Sequence, residues 1–126
     1  MSSVLDASAL LAYLHQEPGW ETVRANIGES YIGTVNWCEV AQKIRQKDLA
    51  VDKTRAFLDE LGMEIVPFSI NQAEQAAHLW KRTRQRGLSL ADRACLALAM
   101  ERDLPILTAD RVWAELDLGV DIRLAR

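Results

Sequence analysis

The sequence predicts a three-layer α/β domain built on a mainly parallel, five-stranded sheet. Three observations support this. Short apolar runs of three to six residues alternate along the chain with longer segments of helical periodicity, the pattern of successive β–α–β crossovers. No repeat, low-complexity tract or linker interrupts the alternation. At 126 residues and 49% hydrophobic composition, the chain has the length of a single domain, 1–126, with enough apolar side chains to cover both faces of a sheet.

The elements follow in order. SVL at 3–5 reads as the first strand and ASALLAYLHQ as a helix that Pro18 and Gly19 terminate. WETVRANIG is a second helix closed by Gly28, since glycine accepts the left-handed backbone at a helix C-terminus. SYIG at 30–33 is the next strand. TVNWCEVAQKIRQK then puts Trp37, Val40, Ala41 and Ile44 on one helical face. DKTRAFLDELG at 52–62 is a helix with Gly62 at its C-cap, and MEIVPF is the third strand. INQAEQAAHLWKRTRQRG is a long helix with Ala73, Ala76, Ala77 and Trp80 at i, i+3, i+4 and i+7, stopped by Gly87. SLADRACLALAMERD turns apolar nearly all round after Ala94, which predicts deep burial. The strand PILT at 105–108, a short helix DRVWAEL and a strand DIRLA complete the chain.

Composition narrows the function. Two cysteines, Cys38 and Cys95, form no framework and no CxxC spacing; in apolar helical stretches both are expected as buried free thiols in a reducing compartment. Asp6 interrupts the N-terminal apolar run before a signal-peptide core forms, and no run reaches the ~18–20 apolar residues of a membrane span. A cytoplasmic protein is expected. The net charge of −3 argues mildly against nucleic-acid binding. That average hides KRTRQR at 81–86, four basic residues in six, readable as an RNA grip or as a solvated helix C-terminus whose charges favour the macrodipole. Trp37 and Trp80 fall on apolar faces and are expected in the core, whereas Trp20 and Trp113 are open, an interface being one place for them.

Four acids stand out. In open α/β sheets, ligands sit beyond the C-terminal strand ends, and Asp6 follows SVL while Asp110 follows PILT. Glu39 in TVNWCEV and Asp92 in GLSLADRACLALA stand at or near helix starts. Each has a structural alternative. Asp6 and Asp110 suit N-caps, Asp92 three residues after Ser89 suits a capping box, and Glu39 can pair with Lys43. Taken together, the four would crowd one sheet edge, where repulsion requires a compensating cation. Oxygen donors suit a hard ion such as Mg²⁺, and His15 and His78 are isolated.

The segments VLDASALLA, VNWCEV, GLSLADRACLALA and ILTADR, in this order and over essentially the whole chain, resemble a PIN domain, most closely the VapC-type toxins of toxin–antitoxin pairs. The resemblance implies an α/β/α fold with sheet order 3-2-1-4-5. It makes Asp6, Glu39, Asp92 and Asp110 the catalytic, metal-holding quartet for Mg²⁺ or Mn²⁺. Ser8 and Thr108 match hydroxyl positions lining the same site, and Asn36 a frequent asparagine on the helical face of Glu39. It further implies a ribonuclease acting on RNA, a homodimer and a cognate antitoxin through which any DNA is bound. Arg93 and Arg111, each beside an acid, are open candidates for flanking the RNA. A phosphatase using Asp6 as nucleophile is disfavoured, because Ser8 stands where a second Asp would be wanted. A non-catalytic RNA- or protein-binding module of the same fold is the main alternative.

Overall fold

The computed structural model describes residues 2–126. The predicted elements all form: β1 (Ser3–Leu5), α1 (Ala7–Leu14), α2 (Trp20–Asn26), β2 (Ser30–Gly33), α3 (Thr34–Gln46), α4 (Val51–Leu61), β3 (Glu64–Val66), α5 (Ile70–Thr83), α6 (Leu90–Arg102), β4 (Ile106–Thr108) and β5 (Ile122–Leu124). Single 3₁₀ turns at Ile27–Glu29 and Arg84–Arg86 extend α2 and α5, and DRVWAEL forms a 3₁₀ helix, Arg111–Glu115, rather than an α-helix. The strand expected over MEIVPF pairs only through Val66, because Pro67 has no N–H to give to a ladder.

All five strands are parallel, in the order β3-β2-β1-β4-β5. β1 is therefore central and wholly buried, and successive side chains point to opposite faces. Leu5, Ile32 and Leu107 face a cluster with Leu10, Val23, Val40 and Leu58 from α1–α4. Val4, Val66 and Ile106 face a second cluster with Leu79, Leu96, Leu98 and Trp113. Each such side chain contributes roughly 1.5–3 kcal/mol of burial, so the central strand is firmly placed. Its C-terminal tip inherits that rigidity.

Local chemistry sets the helix ends. Ser89 and Asp92 form the predicted capping box of α6. Gly62 ends α4 at φ +105° against the Gly28 carbonyl, so any Cβ there would collide with backbone.

Several expectations fail. Gly28 does not close α2 with a left-handed backbone; it lies inside the 3₁₀ turn Ile27–Glu29, where φ is negative. The buried stripe of α5 is Gln72, Ala76, Leu79 and Thr83, one position away from the alanine stripe. Gln72 tolerates burial because its Nε2 donates to Glu101 Oε2 at 2.7 Å, and Thr83 because its hydroxyl donates to the Leu79 carbonyl at 2.8 Å. Trp80 is thereby turned outward and is 49% exposed, not core. Trp113 is instead a core residue at 1% exposure. Cys38 lies on the outer side of α3 and is exposed, while Cys95 is buried as expected. Among the described residues no helix is long and apolar enough to cross a membrane.

Candidate active site

β1 ends at Leu5 and α1 begins at Ala7, so Asp6 sits in the turn at the tip of the central strand. It is an N-cap, as its residue type suggests: Oδ1 accepts from the Ala9 N–H at 2.9 Å. The carboxylate is nevertheless buried, 4% exposed, and other groups converge on it. Thr108, the last residue of β4, donates its hydroxyl to Oδ2 at 2.6 Å. Ser8 Oγ lies 2.8 and 2.9 Å from the two carboxylate oxygens and donates to them. Each hydroxyl in turn accepts a backbone N–H, Ser8 from Ala109 at 3.1 Å and Thr108 from Asp110 at 3.0 Å. With both hydroxyl protons committed to Asp6, the 3.2 Å approach of Ser8 and Thr108 is packing. The sequence DAS and TAD segments thus interlock into one network in which the Ser8 and Thr108 hydroxyls both meet Asp6.

Burial dominates the acidity of Asp6. It raises the pKa from 3.8 to about 6, against the hydrogen bonds from Thr108, Ala9 and Ser8, with the Asp92 charge adding to the rise. Glu39 on α3 is raised too, by partial burial and then by Asp92. Cys95, whose Sγ faces the Leu5 carbonyl at 3.8 Å, is held well above the usual thiol range by burial, then by Asp6, Asp92 and Glu39. Three of the four acids therefore share one electrostatic neighbourhood, with Asp92 acting on both of the others. Asp92 also keeps its structural duty, Oδ2 accepting from the Ser89 N–H at 3.0 Å. Its Oδ1 has no hydrogen-bond partner among the described residues.

Asn36 is buried one turn before Glu39 and ties α3 to α6: Nδ2 donates to the Ala91 carbonyl at 3.0 Å. That bond fixes the helix carrying Glu39 beside the helix carrying Asp92. Its Oδ1 is buried without a partner. The fourth acid behaves differently. Asp110 is exposed, and its Oδ1 caps the 3₁₀ helix by accepting from the Val112 N–H at 3.0 Å. Among the described residues, no three His, Cys, Asp or Glu side chains stand together as a metal-holding group.

The two open arginines separate. Arg93 leans on α5, donating from Nη1 to the Ala76 carbonyl at 2.9 Å, and acts there as a tie between helices. Arg111 is exposed and lines a cleft of about 620 Å³ with Ser8, Leu11, Glu17, Asp110 and Arg126. Arg126 carried no signal in the sequence. It reaches this edge because β5 pairs with β4.

The PIN domain model matches residues 3–118. The chain belongs to the PIN domain family. Several proteins of known structure share its fold. A toxin–antitoxin complex from Klebsiella pneumoniae aligns with TM-score 0.77 and 22% identity over 94% of each chain. VapBC2 from Rickettsia felis, bound to a promoter DNA fragment, aligns at 0.73 and 15% over 98% of each. VapC20 of Mycobacterium tuberculosis, a sarcin–ricin loop cleaving toxin, aligns at 0.72 and 13% over 96% of this chain and 99% of that one. Comparison with curated proteins found no match.

PIN nucleases as a family use divalent metals, and the donor chemistry here fits one. Asp6, Glu39 and Asp92 offer only oxygen donors, and burial together with the Asp92 charge raises two of them. A hard cation held by these oxygens would offset both the burial and the repulsion.

Proposed function

We propose that this PIN domain is a ribonuclease toxin that hydrolyses RNA phosphodiester bonds with Mg²⁺ or Mn²⁺ and is restrained by a cognate antitoxin. The observation that carries the reading is the carboxylate neighbourhood at the tip of β1: a buried Asp6 raised to about 6, with Asp92 acting on it and on Glu39. Asp6, Glu39 and Asp92, with Asp110 across the β4 end, would hold the ion. When bound, such an ion lowers the pKa of water and neutralises phosphate charge.

The chain's own residues prepare that chemistry. Thr108, Ser8 and the Ala9 N–H hold Asp6 in one orientation, so its carboxylate needs no rearrangement when a ligand arrives. Asn36 fixes the approach of α3 to α6, and the capping box fixes Asp92 at the start of α6. Arg111 and Arg126 on the cleft beside Ser8 and Asp110 supply positive charge for phosphates.

The relatives support the biological setting. The neighbours include toxin–antitoxin complexes, a promoter-bound complex and an RNA-loop cleaver. By that likeness this chain would meet an antitoxin and reach DNA only through the antitoxin complex; that it works as a homodimer is part of the proposal.

The test is cleavage of end-labelled RNA by purified protein in Mn²⁺ and in EDTA. Cutting is expected only with metal, and Asp6→Asn and Glu39→Gln should each lower the rate by about 100-fold or more, the scale of a misplaced reacting group. The alternative, a non-catalytic RNA- or protein-binding module, is favoured by the absence of a ready-made group of three ligands among the described residues. RNA left intact by wild type in Mn²⁺ would decide for it.

A further inference from the structure

We propose that Trp80 and the basic residues after it form a docking surface for single-stranded RNA, with Trp80 as a stacking platform. This rests on the ribonuclease reading and adds a substrate-holding surface to it.

Trp80 stands on the outer face of α5, half exposed, and the Arg84 guanidinium lies over its ring at 5.2 Å from the centroid. Lys81, Arg82, Arg84 and Arg86 are all exposed within one short stretch. Positive charge at a helix end is explained by the macrodipole alone. A tryptophan held out of the core beneath an arginine is not. An aromatic face combined with an arginine plane and flanking cations is what unstacked bases and their phosphates bind. Charge complementarity selects a polyanion, because the chain as a whole is acidic at −3 while four cations gather here, of which Arg86 is ion-paired with Glu115.

The surface is continuous with the candidate site. Only the 3₁₀ turn Arg84–Arg86 and three further residues separate α5 from α6, whose first turn carries Asp92. Arg86 Nη1 approaches Glu115 Oε2 at 3.4 Å, and Arg82 Nη2 donates to the Asp117 carbonyl at 3.4 Å. The basic stretch therefore abuts the segment that starts at Asp110. A strand lying on Trp80 can run toward both acids.

Affinity for a fluorescein-labelled single-stranded RNA of about 12 nucleotides is measured by anisotropy in EDTA, separately from cleavage in Mn²⁺. Trp80→Ala is expected to weaken binding by about 5- to 150-fold, the range of one base stacked on an aromatic ring. Trp80→Phe should restore most of it, which separates stacking from a folding defect. Arg84→Ala should lower the slope of log affinity against log salt by about 0.7, one phosphate contact on a single strand. Wild type that binds through Trp80 but cuts nothing removes the nuclease reading and supports the surface. Wild type that cuts RNA while Trp80→Ala keeps full affinity overturns the surface and leaves the nuclease standing. Unchanged RNA affinity with lost binding to a Glu-rich peptide assigns the face to an acidic protein segment, and also overturns it.

Discussion

Replacing Asp6 by Asn removes a charge while keeping the shape and the cap. The buried carboxyl titrates at about 6 in the folded chain against 3.8 in the open one. At about 1.4 kcal/mol per pKa unit, that gap is an ionisation penalty of about 3 kcal/mol. The sign follows from proton binding. Between 3.8 and 6 the native state holds more protons than the unfolded state, so stability falls as pH rises through that window and is flat above it. At pH 8 the penalty is complete, and at pH 4 about 0.5 kcal/mol of it remains. Asn caps the Ala9 N–H as well as Asp does, but it cannot accept the Thr108 hydroxyl in the same way, a loss of about 1 kcal/mol. Asp6→Asn should therefore be about 2 kcal/mol more stable than wild type at pH 8, or about 6–10 °C in Tm for a domain of this size. At pH 4 the order should reverse slightly. The assay is thermal unfolding in EDTA followed by tryptophan fluorescence, with fully buried Trp113 among the reporters. Adding Mn²⁺ at pH 8 should raise wild type by mass action and the variant much less. An Asn variant that melts below wild type by the same margin at both pH values would refute the reasoning and leave Asp6 a simple cap.

Two further outcomes follow from the same network. Thr108→Val keeps the volume but removes the donor to Asp6 and the acceptor of the Asp110 N–H, both buried or partly buried; a loss of about 2–3 kcal/mol is expected in urea unfolding. A thiol reagent on the native protein should label Cys38 rapidly and Cys95 only on unfolding, since the second is buried and kept protonated. Two equally fast thiols would contradict the packing of α6.

Much of this was legible in the sequence because local signals and tertiary demands agree. The alternation of apolar runs placed every strand, Gly62 and Gly87 marked their helix ends, and Ser89–Asp92 announced its box. The failures are also local. On α5 the eye follows Ala73, Ala77 and Trp80, yet Gln72 and Thr83 are the buried residues, made acceptable by Glu101 and by the Leu79 carbonyl. Hydrophobicity alone does not register a satisfied hydrogen bond, so the helix is rotated from its expected face. At the site, DAS and TAD named the residues that meet, but not that the two hydroxyls serve Asp6 while Asp110 turns to Val112. An arginine beside an acid gave no direction, and Arg93 leans on α5 instead.

The bond between Thr108 and Asp6 spans 102 positions of sequence, which gives the centre an order of assembly. A chain made from its N-terminus at about 5–20 residues per second exposes Asp6 some 5–20 s before Thr108 is added. During that interval no partner strand shields the carboxylate, neither Thr108 nor the β4 backbone orders it, and it titrates as any aspartate in water does. Products cut short before β4 would carry three of the acids in full and the arrangement of none. The arrangement around Asp6 arrives only with β4, nearly all at once.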